Sequence, residues 1–258
     1  MSRYLHKSIE GSTGWLTIDR PDSRGALNAE MWAALPDLLV ELAEDEAVRV
    51  VVIRGSAGHF IAGADINEFA ALRSNPALAR EYDLGAERAI DTLERLSVPS
   101  IAMIDGACVG GGCLIAFACD LRIAAESARL GIPAGRLGLA YPYRGLERLV
   151  EVVGESQALA LVLTGRLFRA PEAAERGFVQ FVAADGSLEA LVRELAGDVA
   201  ANAPLALRYL RRAIRRSTHA RLPDEEIARL ADICFQSEDY REGVAAFLEK
   251  RAPRFRGR

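Results

Sequence analysis

Lysine is almost missing from this chain: Lys7 and Lys250 are the only two among 32 lysines and arginines. Histidine is scarce, with three scattered residues, and the four cysteines (Cys108, Cys113, Cys119 and Cys234) form no CxxC pair. A disulfide framework and a structural zinc site both need clustered ligands, so neither is expected, nor is any other metal. The thiols read as small buried hydrophobes in a reducing compartment. No run approaches the ~20 apolar residues that a membrane span needs. The opening "MSRYLHKSIEGSTGW" lacks the apolar core of a signal peptide. A net charge of −4 gives no general pull toward nucleic acid or anionic lipid. These absences predict a cytoplasmic protein with no membrane anchor.

What is present suits one large domain, or a core with a smaller appendage: 258 residues, half of them hydrophobic. "GWLTIDRP" reads as a strand stopped by Pro21. "NAEMWAALPDLLVELAEDE" carries Met31, Leu35, Leu38, Leu39 and Leu42 at amphipathic-helix spacing, with Pro36 either an internal irregularity or the joint between two pieces. "VRVVVIRG" is a continuous β-branched run, typical of a strand buried on both faces. "VPSIAMIDG" and "LRIAAES" are further strands, and "ARLGIPAGRLGLAYPYRG" reads as a strand plus loops. From about Ser187 the pattern is almost entirely helical. Alternating β and α followed by a helical tail predicts an α/β core with a helical appendage, divided as 1–195 and 196–258.

Two Gly-rich joints carry the chemistry. In "VPSIAMIDGACVGGGCLIAFACD" a strand runs into Gly106, then Gly110, Gly111 and Gly112 at the start of a helix. Glycines there let a ligand approach the backbone, and the first helical amides point outward without partners. The positive end of the helix dipole adds to this. One such N–H held against a developing oxyanion contributes ~3 kcal/mol to a transition state. A tight packing turn with no ligand is the alternative. "RGSAGHFIAGADINEFAAL" repeats the strand–loop–helix pattern, and the amide of Ala64 is a candidate second donor. Asp65 reads as a helix cap as readily as a catalytic acid, and His59 as a loop histidine.

The pieces "RPDSRGALNAEM", "HFIAGADINEF", "IDGACVGGGCLIAFACDLRIA", "ARLGIPAGRLGL", "LTGRLFRAPEAAERGFVQFV" and "REGVAAFLEKR" resemble, in order, the crotonase superfamily, the enoyl-CoA hydratase/isomerase family. The resemblance covers nearly the whole chain. It implies a core of repeated ββα turns, acyl-CoA thioesters as ligands, and C-terminal helices that build trimers, often paired into hexamers. It implies no cofactor beyond the coenzyme A of the substrate. On the family's pattern the oxyanion donors fall on the amides of Ala64 and Gly111. Coenzyme A contacts fall near Ala26, Ala62, Ala64, Asp65 and Ile66. Phe247 and Lys250 match residues that reach the nucleotide end of the ligand, often across a subunit boundary.

The departure from the pattern is informative. Hydratases of this family carry glutamates at the positions of Leu114 and Ala134, where one carboxylate activates water and the other delivers a proton. Simple isomerases keep the second, and the extra aspartate of dienoyl isomerases would fall near Pro142. Between Gly106 and Leu146 the only acids are Asp120, which reads as structural, and Glu126, which reads as solvated. General acid–base catalysis contributes ~10²–10⁴-fold, so two-glutamate hydration is not expected. An oxyanion hole alone still stabilises an enolate formed by loss of CO2 from a malonyl-type CoA, or takes part in C–C bond hydrolysis. "RLGLAYPYRGLERL" resembles methylmalonyl-CoA decarboxylases at Tyr141, whose phenol can donate to a carboxylate. The histidine of those enzymes corresponds here to Ala64.

The leading expectation is therefore an acyl-CoA enzyme working through an oxyanion hole, with a catalytically silent acyl-CoA-binding paralogue as the alternative from another class. Glu68, Tyr82, Tyr143 and Arg144 are further candidates for substrate contact, each with an ordinary packing or ion-pairing explanation. Arg208, Arg211, Arg212, Arg215 and Arg216 form a basic stripe opposite Leu207, Leu210 and Ile214. The stripe is expected to be solvated or to face another subunit, and RNA binding through it is a weaker reading.

Overall fold

The computed structural model describes residues 2–65, 68, 76–137, 139, 141–219, 229–230, 232–233 and 235–258. The chain opens with a hairpin, β1 (Leu5–Glu10) antiparallel to β2 (Thr13–Ile18), turned at Gly11, whose φ of 59° is a conformation glycine adopts without strain. The helix α1 (Ala29–Glu44) follows. Asn28 caps it, accepting from the amide of Met31. Pro36 lies inside this single helix. The buried stripe Met31, Leu35, Leu38, Leu39 and Leu42 outweighs the one ladder bond that proline cannot donate.

The next strand, β3 (Val50–Gly55), has its first four residues fully buried, as its unbroken β-branched run predicts. It pairs in parallel with β2 and with β4 (Ser100–Ile104). Beyond β4 come β6 (Leu121–Ala125) and β9 (Phe181–Ala183), which complete a six-stranded sheet in the order β1-β2-β3-β4-β6-β9. A second sheet, β5-β7-β8, is built from Ala107–Val109, Arg129–Gly131 and Phe168–Arg169.

This gives the repeated ββα turn its form. β4 enters the large sheet, β5 the small one, and α3 (Gly111–Ala118) follows; β6 and β7 do the same ahead of α4 (Tyr143–Thr164). α2 (Pro76–Arg95) packs on α1, α3 and α4. α4 is broken at Gly154, whose φ of 77° is not helical. The rest of the described chain is mostly helical: α5 (Ala170–Glu175), α6 (Leu188–Ala200), α7 (Pro204–His219) and α8 (Glu238–Glu249). α6 runs through residue 195 and packs on β3, β4 and β6, so residues on both sides of that point share one helix. Among the described residues no helix is long and apolar enough to cross a membrane. Cys108, Cys113 and Cys119 are buried free thiols.

Candidate functional site

The two Gly-rich joints meet. Leu27 donates to the carbonyl of Gly63 and accepts from the amide of Asp65, both at 2.9 Å, which is parallel-strand pairing. The N–H of Ala64, between those two residues, faces the other way and has no acceptor among the described residues. Ile61 and Cys108 pair likewise, the amide of Ile61 bonding Ala107 O and that of Val109 bonding Ile61 O. Gly110 donates to Gly131 O at 2.9 Å, and the next amide, that of Gly111, opens α3 without an acceptor.

Each of the three glycines has its own reason. Gly110 turns the chain at φ 51°, ψ −109°, and no side chain caps the helix. A methyl on Gly112 would lie 2.3 Å from the carbonyl oxygen of Ile61, so α3 can press against that loop only at glycine. A methyl on Gly111 would lie 3.6 Å from the nitrogen of Ala64 and 3.0 Å from a ring carbon of Trp32. The two bare amides are thus neighbours, with an indole beside them.

They border a cavity of about 200 Å3, lined among others by Ala62, Ala64, Gly111, Leu114, Ala134 and Tyr141. Gly110 and Tyr82 line it too, so eight of the residues singled out in the sequence share one space. Its volume is below the roughly 300–1,000 Å3 of pockets that enclose a drug-sized ligand, so it suits the reacting end of a molecule whose larger part lies outside. The walls are mostly apolar. Leu114 reaches over α4, where a methyl on Gly145 would come within 2.0 Å of its Cδ2. Tyr141 donates its hydroxyl proton to Gly110 O at 2.8 Å, and burial pushes the phenol well above its usual pKa. In this geometry its proton braces the glycine loop.

Sequence reasoning did not single out two further wall residues. Trp32 donates Nε1–H to the Tyr82 hydroxyl at 2.8 Å, the rings meeting edge to face. Asp83, beside Tyr82 on α2, is the one carboxylate among the described residues that line the cavity. The apolar stripe of α1 hinted at Trp32, which follows Met31 on the buried side. Nothing local marked Asp83, because its neighbours in the cavity come from distant parts of the chain.

Other candidates lie elsewhere. Asp65 is paired with Arg20 at 2.6 Å, and Arg20 also donates to the carbonyl of Ala26, so these two predicted contacts share one guanidinium beside the loop. Glu68 accepts from the amide of Ala29 at 2.7 Å and so helps cap α1. Arg144 pairs with Asp91, Glu94 and Glu147, and Tyr143 is exposed. The His59 ring packs under the Gly106 turn, accepting from Ala107 N at 3.4 Å. Lys250 is exposed at the end of α8 with φ 55°. Ile66 and the side chain of Phe247 lie outside the described residues.

Of the arginine stripe, expected to be solvated or to face another subunit, Arg208 is exposed and the side chain of Arg216 lies outside the described residues, while Arg211, Arg212 and Arg215 bond within the chain. Arg211 donates through Nε to Asp120 at 2.7 Å and through its other nitrogens to the carbonyls of Leu96 and Leu93. Arg212 reaches Arg95 O, and Arg215 reaches both Asp120 and Ala118 O. These carbonyls end α2 and α3, where the helix dipole attracts cations. Leu210 and Ile214 are instead turned outward, 50% and 66% exposed. Asp120 also accepts from the amide and hydroxyl of Ser100. Burial alone would raise its carboxyl pKa. The charges of Arg211 and Arg215, with the bonds from Arg211 and Ser100, outweigh burial and hold it below the usual range.

Adjacent bare amides over an apolar cavity, raised on repeated ββα turns, form an arrangement able to hold a carbonyl oxygen. The family model for enoyl-CoA hydratase/isomerase matches residues 8–258, and the chain belongs to that family. It is similar to the 2,3-dehydroadipyl-CoA hydratase of Escherichia coli, 36% identical over 246 residues that cover 94% of both chains. It is 33% identical to the short-chain-enoyl-CoA hydratase of Clostridium acetobutylicum, over 94% of this chain and 93% of that one. Among solved structures, an enoyl-CoA hydratase/carnithine racemase from Magnetospirillum magneticum superposes with a TM-score of 0.95 at 36% identity, covering 100% of this chain and 97% of the other.

Proposed function

We propose that this chain binds an acyl-CoA thioester, holds its carbonyl oxygen between the amides of Ala64 and Gly111, and stabilises the enolate that forms, without two-glutamate hydration. The observation that carries this is the pair of neighbouring N–H groups with no acceptor among the described residues, set at the edge of an apolar cavity. Preorganised donors in a site that excludes water are worth far more than the same donors in solution. Leu114 and Ala134, where hydratases of the family carry glutamates, lie buried in the cavity wall.

The coenzyme A portion arrives as part of the substrate, near Ala26, Ala62, Asp65 and Ile66, with Phe247 and Lys250 at its nucleotide end and no separate cofactor. The protein works in the cytoplasm as a trimer or a dimer of trimers. Apolar side chains left outside α4 and α7, Leu163 and Ile214 foremost, support that assembly. A screen of an acyl-CoA panel by mass spectrometry, reporting both bound ligand and product, tests the reading. Acyl-CoA binding with turnover of a substrate other than an enoyl-CoA is expected. Rapid hydration of crotonyl-CoA would overturn the assignment of Leu114 and Ala134. Binding with no product anywhere in the panel would make the chain a silent acyl-CoA-binding paralogue.

Loss of CO2 from a malonyl-type thioester, or hydrolytic C–C cleavage, is the second reading. The apolar wall at Leu114 favours decarboxylation, because the electron pair of the breaking C–C bond passes to the thioester carbonyl with no protein base.

A further inference from the structure

Enolate chemistry needs more than a place for the oxyanion, because a proton must leave or reach the carbon beside the carbonyl. The cavity wall holds four polar side chains among the described residues: Trp32, Tyr82, Asp83 and Tyr141. The indole of Trp32 donates to Tyr82, and an indole nitrogen is a donor only, with no site that accepts a proton. Tyr82 faces Leu27 O at 3.4 Å. Tyr141 donates to Gly110 O, and burial raises its phenol further. A carboxyl group is the only one of these side-chain types that accepts and returns a proton readily in neutral water.

Asp83 reaches the cavity wall from α2. Tyr82, Asp83 and Ala86 stand at i, i+1 and i+4 on α2 and line the cavity together, opposite no other carboxylate among the described residues. Trp32, which holds Tyr82, is the residue whose ring would meet a methyl on Gly111. The same aromatic pair therefore ties Asp83's stretch of α2 to the bare amide.

We propose that Asp83 is the proton-transferring residue of this cavity. The inference rests on the acyl-CoA reading above and deepens it. The carboxylate of Asp83 takes a proton from the α-carbon of the thioester. The C–H electron pair becomes the enolate double bond, and the carbonyl oxygen, now negative, is held by the amides of Ala64 and Gly111. Reversal returns a proton from the Asp83 carboxyl to the same carbon. This acid–base residue comes from α2, a different element from the positions of Leu114 and Ala134.

The test is deuterium incorporation at the α-carbon of butyryl-CoA in D2O, followed by mass spectrometry, with binding of butyryl-CoA measured separately by calorimetry. Wild-type protein is expected to exchange. Asp83→Asn is expected to bind as wild type does and to exchange about 10²–10⁴-fold more slowly. Asp83→Glu should retain part of the rate, and formate should restore part of it to Asp83→Ala. Exchange at the wild-type rate in Asp83→Asn would overturn the proposal, as would no exchange by a wild-type protein that binds the ligand. Loss of exchange with neither formate rescue nor activity in Asp83→Glu would assign Asp83 a structural role and overturn it equally. Failure of wild-type protein to bind any acyl-CoA would instead remove the reading beneath it.

Discussion

The two ends of α3 are opposites. At its start, Gly110 offers no side-chain cap and the amide of Gly111 has no acceptor among the described residues. At its end the last carbonyls are taken by three arginines. Arg122 donates to Ala116 O and Cys119 O, Arg148 to Phe117 O, and Arg215 to Ala118 O. Both ends of any helix leave backbone groups unmatched. In this one, charged side chains satisfy the acceptors, while the first donor has no acceptor among the described residues. The contrast separates two kinds of polar group. Buried groups bonded within the chain hold the fold, and an amide with no acceptor among the described residues is a candidate for chemistry.

The largest effect expected from testing that contrast is on stability, at the matched end. Asp120→Asn leaves Arg211 and Arg215 facing a neutral amide, and removing one partner of a buried charge cluster costs about 3–5 kcal/mol. Urea unfolding should show the loss, while the folded variant keeps wild-type acyl-CoA turnover. Acid should reproduce it. The Asp120 carboxyl is held below the usual range, so its contribution is complete above the unfolded value of about 3.9 and disappears as pH falls through the lower folded value. An unfolding midpoint of Asp120→Asn that falls in acid as steeply as the wild type's would contradict this.

At the unmatched end the expectation reverses. Gly111→Ala puts a methyl 3.6 Å from Ala64 N, crowding the two amides proposed to hold the carbonyl oxygen. Turnover should fall about 10²–10³-fold, or about 2.7–4 kcal/mol, the usual cost of disabling one oxyanion donor. The methyl also presses on Trp32 at 3.0 Å, so the melting temperature is read beside the rate. A variant that melts as the wild type does and turns over at its rate would remove Gly111 from the mechanism.

Much of this was readable in the sequence, for a physical reason. The glycine joints, β3 and α1 are local patterns, and local patterns survive without knowledge of the rest of the chain. Asp120 could be called structural because it sits in the "CDLRIA" joint, which resembles every branch of the family. Three arginines of the stripe, Arg211, Arg212 and Arg215, were not readable, because amphipathic reasoning assigns charge to solvent or to another subunit. Here these three turn inward to helix C-termini that only the fold brings near, and Leu210 and Ile214 face out instead. Trp32 and Asp83 reach the cavity from helices separated in sequence from both glycine joints, so no spacing rule connects them. The fit of Leu114 against Gly145 is equally non-local: one position tolerates a leucine because another, 31 residues on, has no side chain.

The smallest expected effect concerns a residue that touches both kinds of polar group. Tyr141 lines the cavity, yet its hydroxyl proton goes to Gly110 O at 2.8 Å, one residue before the bare amide. Tyr141→Phe keeps the ring and deletes that bond, at a cost of about 0.5–1.5 kcal/mol if Gly110 O finds no other donor. Turnover should drop less than tenfold, and equally for neutral and carboxylated acyl-CoAs, because a loosened loop blurs the Gly111 amide for every substrate. A hydroxyl that grips a substrate carboxylate behaves differently, since its removal would cost malonyl-type thioesters far more than butyryl-CoA. Measuring kcat/KM for both substrates in the variant decides between brace and ligand. An effect confined to the carboxylated substrate would move Tyr141 from the scaffold to the mechanism and favour decarboxylation over proton transfer by Asp83.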